Sequence, residues 1–457
     1  MKRRWIATFM AAVGLASVLT GCTHRDRPST EEPVTLTMWH VYGSQTKSPL
    51  NTAIDEFNNT VGKENGITVN VVSVTSSSAI DKALAASANR EPGAEALPDL
   101  FTAYPRVAQI VGEDRLLAWD RYFSEGELSA FKPEFLQEGY FGEKLLMLPV
   151  AKSTEAFFLN QTLFAEFSAQ TDVTLEQLQS FEGLFAAANR YYDWSGGQNF
   201  TQINDYYHYA LVGTQVYGGE LVRDGKLQLG DPAFESVWLP LANAAIYGGI
   251  CLDDGYAAAR WKTIEIISNI GSTADILYQP DKVIYPDNSV RQIEAVSIPY
   301  PVFREGEAAA VHRGGGLFAI RSEDESKNYA AAVFAKWLTE KENNLRFVTE
   351  AGYLPVTNAA FDQLVAEPEL VSNTDYRQLY KTAGIMVREY SLHTIPLFDG
   401  ASGLQMRFEE CVKLVLRTAH AQYTQRVAAG EDPEKVLEEL TRASLTELQK
   451  VLSESEA

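Results

Sequence analysis

Between Val34 and Val111, short apolar runs alternate with segments of helical period, and that alternation leaves few folds open. Val34 to His40 reads as a strand. Ser48-Pro49 then opens a helix, serine as the cap and proline in the first turn, with Leu50, Ile54 and Phe57 facing inward. Ile67 to Val74 is a second strand rich in β-branched residues, and Ala79 to Asn89 a helix with Ile80 and Leu84 inward. Leu100 to Ala103 is a third strand, and Tyr104-Pro105 leads into a helix carrying Val107, Ile110 and Val111. Strands that alternate with helices pair in parallel through right-handed crossovers. In such open sheets a ligand sits beyond the carboxyl ends of the strands. That rule singles out the residues from His40 to Ser44, Tyr42 and Gly43 among them, and Tyr104.

A chain of 457 residues is too long for one simple core, so two α/β domains are expected. A second informative stretch runs from His312 to Val356. Gly314, Gly315 and Gly316 permit a sharp turn or a close backbone approach, and Leu317 to Ile320 is a buried strand. Ser322 and Glu325 have the spacing of a capping box, followed by Ala330, Phe334, Trp337 and Leu338 on one helix face. Thr339 and Glu342 repeat the capping spacing, and Gly352 then Pro355 close the second helix.

The N-terminus has the three parts of a secretory leader: Lys2, Arg3 and Arg4, then the apolar run Trp5 to Leu19, then Leu19-Thr20-Gly21-Cys22. The apolar run is shorter than the roughly 20 residues of a spanning helix. The last four residues resemble the lipobox of bacterial lipoproteins. That resemblance implies cleavage after residue 21, a lipidated Cys22 and a membrane-anchored, extracytoplasmic chain. Residues 22–33 are polar, carry Pro28 and Pro33, and read as a flexible tether. The formal net charge of −21 falls to about −24 once the three leader cations are removed. Such acidity argues against nucleic acid as a partner. Cys251 and Cys411 are compatible with a disulfide or with two buried small apolar residues.

The glycine turn, the strand, the helix ending in Lys336-Trp337-Leu338-Thr339 and the close Gly352-Tyr353-Leu354-Pro355-Val356 together resemble the extracellular solute-binding proteins of ABC importers. Leu148-Pro149-Val150-Ala151-Lys152-Ser153-Thr154 resembles that family's first inter-lobe crossing, and Gly271-Ser272-Thr273 its turn facing the cleft. The resemblance implies a two-lobed periplasmic-binding-protein-like fold of type II, each lobe a sheet flanked by helices. The first lobe spans 34–148 and is completed by 312–354; the second spans 155–300 and is completed by 358–457. Crossings are expected near 149–154, 301–311 and 355–357. It also implies a monomer that closes on a small-molecule ligand and delivers it to membrane permease subunits, without cofactor or metal.

Candidate ligand residues follow from strand ends and from that resemblance: His40, Tyr42, Gly43, Tyr104, Ser272, Tyr353, and Arg407 in the C-terminal part. Lys152, Ser153 and Thr154 read equally as ligand donors or as hinge residues, and Gly315 and Gly316 as N–H donors or as the start of a strand. Trp39, Trp238 and Trp261 read as core. The 21 tyrosines and seven tryptophans suit a carbohydrate, an oligosaccharide above all. A glycerol-3-phosphate or glycerophosphodiester is the alternative, because that branch carries the same Trp-His and Gly-Tyr-Leu-Pro motifs. A surface glycan hydrolase or a transport-inactive scaffold are further alternatives. No G-x-S-x-G, P-loop or H-E-x-x-H motif occurs, so no enzymatic activity is expected. Glu409-Glu410 reads as a pair of solvated helix charges.

Overall fold

The computed structural model of the protein describes residues 27–42, 48–73, 77–371, 373–398 and 400–455. The leader, Cys22 and Gly43 lie outside the described residues. Among the described residues no helix is long and apolar enough to cross a membrane.

Two sheets organise the chain. The first strand, β1 (Val34–His40), is followed by α1 (Pro49–Asn59), β2 (Ile67–Ser73), α2 (Ser77–Ala88) and β3 (Leu100–Ala103). β1 pairs in parallel with both β2 and β3, as strand–helix alternation requires. The side-chain period of two sends Leu36 and Met38 to one face, with Leu50, Ile54 and Phe57 of α1. Trp39 goes to the other, with Ile80, Leu84 and Phe101. Trp39 is therefore core.

The second sheet is built on β4 (Ser153–Asn160), whose eight residues are all buried. β5 (Thr201–Ile203) lies beyond β6 (Ser268–Ser272), which runs antiparallel to β4. The other edge of β4 is shared, antiparallel, by β7 (Ala295–Pro299) and β8 (Ala309–Arg313). The chain then leaves β8 through Gly314-Gly315 into β9 (Gly316–Ala319), which joins the first sheet antiparallel to β3. β10 (Ser391–His393) extends the second sheet beside β8. The second passage between lobes thus falls at Gly314-Gly315 rather than at 301–311, because residues 309–313 are hydrogen-bonded into the second sheet. Helices α3 (Tyr206–Val216), α4 (Pro232–Tyr247), α5 (Glu325–Thr339), α6 (Lys341–Ala351), α7 (Thr374–Glu389), α8 (Ala401–Ala428) and α9 (Pro433–Ser455) flank the sheets.

Three local expectations change. The cap of α5 is Asp324, whose carboxylate accepts from the Ser326 amide, while the Ser322 hydroxyl accepts from the Asp324 amide two residues too early. Thr339 ends α5 with its hydroxyl on the Ala335 carbonyl, so it does not cap α6. Residues 27–33 pack on the first lobe rather than swinging free: the Arg27 guanidinium covers the Tyr329 ring at 5.0 Å, and the Ser29 carbonyl fills the space where Gly66, at φ +67°, lacks a Cβ.

Trp238 and Trp261 are buried in the second lobe, as are Cys251 and Cys411, which form no disulfide. Tyr206, Tyr207 and Tyr209 are core residues of α3.

Candidate ligand cleft

The passages between lobes converge on one buried lysine. Lys152 pairs its backbone with Leu354, N–H to O at 3.1 Å and the reverse at 2.6 Å, which ties the first crossing to the third. Its ammonium donates to the Gly314 carbonyl at 2.9 Å, tying in the second, and pairs with Glu138. Asn344 adds a second tie, donating to the Val150 carbonyl at 2.7 Å and accepting from the Val356 amide at 3.1 Å. A buried ammonium needs such partners, and those of Lys152 come from the passages between the lobes rather than from the cleft. Thr154 is buried with its hydroxyl on the Val311 carbonyl at 2.8 Å. Gly316 begins β9, where a Cβ would meet the Leu148 carbonyl at 2.6 Å.

His40 is likewise internal. Its Nδ1 accepts from the Tyr42 amide at 3.2 Å and its Nε2 lies 2.7 Å from Asn51 Oδ1. Burial lowers its pKa, so the ring is neutral. Both nitrogens are used, and the ring serves to bend the chain after β1. The Ser48 hydroxyl adds a 2.6 Å bond to the Tyr42 carbonyl. Tyr42 is thereby held with its ring edge-on to Tyr353, at 5.1 Å between centroids, and to Phe347, at 5.3 Å. Burial pushes the Tyr42 phenol well up, so it stays a neutral donor.

Above these rings lies a cavity of about 250 Å³ between the lobes. Tyr42, Thr102, Tyr104, Gly315 and Tyr353 line it from the first lobe's side, and Ser153, Ser272, Asp275, Tyr278 and Arg313 from the second's. Of the residues the sequence singled out, Tyr42, Tyr104, Ser153, Ser272, Gly315 and Tyr353 come together here. His40, Lys152, Thr154 and Gly316 stand behind the wall. Gly315 is close-packed, since a Cβ there would meet the Ala103 carbonyl at 2.2 Å. Arg407 sits on α8 and does not line the cleft; Gln405 reaches the Asp205 carboxylate at 3.3 Å, and two residues at 3.6 per turn carry Arg407 to the other side of the helix.

Arg313, Asp275, Tyr278 and Thr102 were not anticipated. Asp275 and Tyr278 follow the carboxyl end of β6, and Arg313 ends β8 before the glycines, so the strand-end rule was the available signal. Arg313 lies 3.0 Å from Glu155 and 3.8 Å from Asp205. Its environment lowers its pKa by burial but raises it more through those carboxylates, so the guanidinium stays charged. His208 bonds the same two carboxylates, Glu155 at 2.9 Å and Asp205 at 3.1 Å. Glu155, Asp205 and His208 are close enough to embrace a cation, and the cation they face is Arg313. Asp275 accepts from Asn204 at 3.1 Å, and a Cβ on Gly271 would strike both at 2.4 Å. Burial, against the pull of Arg313, raises the Asp275 carboxyl to about 6. Glu409, read as solvated, instead accepts from the Tyr207 amide at 2.6 Å, and burial beside Asp205 raises its pKa.

A cleft between two α/β lobes, joined by three passages and walled by tyrosines, defines a two-lobed ligand-binding protein. Residues 52–375 match the family of bacterial extracellular solute-binding proteins, and the chain belongs to that family. It is thus a binding protein of an extracytoplasmic family and not an enzyme. Solved structures share the fold. The cyclic α-maltosyl-1,6-maltose binding protein of Arthrobacter globiformis is 18% identical, with 92% of this chain and 100% of that one covered at a TM-score of 0.64. UgpB of Mycobacterium tuberculosis, in complex with glycerophosphocholine, is 17% identical over 93% and 100% at 0.65. An ABC substrate-binding protein of Listeria monocytogenes, in complex with cycloalternan, is 14% identical over 92% and 99% at 0.63. No curated protein matches the chain.

Proposed function

We propose that the protein is the substrate-binding component of an ABC importer and captures a neutral carbohydrate, an oligosaccharide, by closure of its two lobes. The observation that carries this reading is the state of Arg313. Glu155 and Asp205 already neutralise it, and Asp275 adds a further carboxyl, so the cleft offers tyrosine faces and hydroxyls rather than a free cation. Tyrosine rings stack on the apolar faces of sugars, and phenol, serine and threonine hydroxyls exchange hydrogen bonds with their OH groups. The Thr102 hydroxyl is buried in this wall without a protein partner among the described residues. A ligand touching both lobes binds the closed state better than the open one and so drives closure. The closed form is then read by membrane permease subunits, and a lipidated Cys22 keeps the monomer at the membrane.

A glycerophosphodiester is the second reading. Tyrosine rings beside Asp275 would also suit a quaternary ammonium, and one protein of the same fold was solved with glycerophosphocholine.

Thermal unfolding of the full chain separates the two. Saccharides of one to eight units, glycerol-3-phosphate and glycerophosphocholine are each added in excess. A ligand at 100 times its Kd adds about 2.7 kcal/mol, a rise of a few degrees. Stabilisation by saccharides is the expected result; stabilisation by the phosphates alone overturns it. Palmitate labelling tests the anchor: the Cys22→Ser variant should take up no label.

A further inference from the structure

The second lobe's wall presents a guanidinium to the cleft and keeps two carboxylates behind it. Arg313 stands opposite Ser153 in the antiparallel register of β8 and β4, which makes Glu155 its diagonal neighbour on the same face of the sheet. The Arg313 side chain is 23% exposed and lines the cavity, whereas that of Glu155 is 2% exposed. We propose that Glu155 determines the charge selectivity of the cleft: by holding Arg313 from behind it excludes anionic ligands, and without its charge the same wall takes a phosphate. The proposal rests on the carbohydrate reading above and assigns its charge selectivity to one residue.

The geometry gives Arg313 an internal counter-charge. Its Nη1–H donates to Glu155 Oε1 at 3.0 Å, and the guanidinium lies 3.8 Å from Asp205. Both carboxylates are fixed in turn. Asp205 caps α3 by accepting from the His208 amide at 2.9 Å, and His208 Nδ1 lies 2.9 Å from Glu155 and 3.1 Å from Asp205. A ligand anion therefore gains Arg313 only by drawing it away from partners that stay in place. Asp275 adds a half-buried carboxyl on the cavity wall itself. Stability alone does not call for two buried carboxylates here, since apolar residues of similar volume often serve as well or better. Selectivity does call for them. A guanidinium has five N–H donors in a fixed fork, so one bond to Glu155 leaves donors for the hydroxyls of a neutral ligand. A phosphate, which binds arginine by charge as well as by hydrogen bonds, meets a guanidinium whose charge is already balanced.

Calorimetric titration of the full chain tests this with inorganic phosphate, glycerol-3-phosphate and the saccharide that stabilises the protein most. The wild type should bind the saccharide and neither anion. Glu155→Gln keeps the shape of the side chain and removes its charge. It should bind both anions at least about 10-fold more tightly than the wild type, and the gain should shrink as salt rises from about 50 to about 500 mM. Glu155→Met, apolar and of similar volume, takes its place if the amide variant does not fold. Glu155→Asp retains the charge and should stay with the wild type. Asp275→Asn leaves the Glu155–Arg313 pair intact and should gain less, about 3-fold. If the wild type binds saccharide, three results overturn the role of Glu155 alone: no anion gain in Glu155→Gln or Glu155→Met, an equal gain in Glu155→Asp, or a larger gain in Asp275→Asn. Binding of the anions but no saccharide by the wild type, or of no saccharide at all, overturns the carbohydrate reading and the proposal with it.

Discussion

Tyr42 and Asp275 face the same cavity from opposite lobes, and each lends itself to a single-residue test. Tyr42→Phe keeps the edge contacts with Phe347 and Tyr353 and removes only the phenol oxygen. Stability should change by less than about 1.5 kcal/mol, while ligand affinity by calorimetry falls roughly 10-fold, the value of one well-placed hydrogen bond. An affinity left intact would show that the ring and not the hydroxyl meets the ligand. Asp275 tests the electrostatics. Its folded pKa of about 6 exceeds the ordinary 3.8, so folding takes up a proton between those values. Stability from this group is therefore greatest at low pH and declines as pH rises through about 6. Asp275→Asn should be the more stable protein by roughly 1–2 kcal/mol at pH 7.5, with the difference vanishing at low pH, as measured by urea unfolding at both.

Elements are held by groups that local spacing only partly reveals. The start of α5 is the clearest case. Asp324→Ala removes the carboxylate that accepts from the Ser326 amide and should destabilise the protein by about 1 kcal/mol. Ser322→Ala, at the position that capping-box spacing favours, should matter less, because its hydroxyl meets only the Asp324 amide before the helix begins. Chemical denaturation of the two variants ranks them. β4 shows the same logic in a strand. Its polar start, Ser153 to Glu155, is buried as deeply as its apolar end because the hinge and the Arg313–His208 cluster satisfy it.

For the whole molecule, the lobes move as units only if the three crossings bend together. Lys152 links all three and has no water to fall back on. Lys152→Met strands the Glu138 carboxylate in the hinge and should lower stability by about 3–5 kcal/mol. Adding Glu138→Gln should restore much of it, since the uncompensated charge rather than the missing bond carries most of the loss. Additivity of the two changes in a double-mutant cycle would show that the pair is not coupled.

The strand–helix alternation from Val34 to Val111, the glycine turn at 314–316, and the Gly352 cap are properties of local sequence, since backbone freedom and apolar period act over a few residues. They determined the α/β class, the parallel core of the first sheet and the placing of Tyr42 and Tyr104 at strand ends. Which polar residues face the ligand was decided only in three dimensions. His40 and Tyr42 are two residues apart on one strand end, yet a bond from the Tyr42 amide turns the imidazole inward and leaves the phenol at the cleft. Lys152 and Ser153 are adjacent, and a carboxylate fourteen residues earlier claims the lysine while the serine reaches the cavity. Arg313 is paired with Glu155, 158 positions before it. Charge and hydrogen-bond partners of that separation carry no local sequence pattern, because they are set by strand register and by which side chain finds its counter-group when the two sheets close.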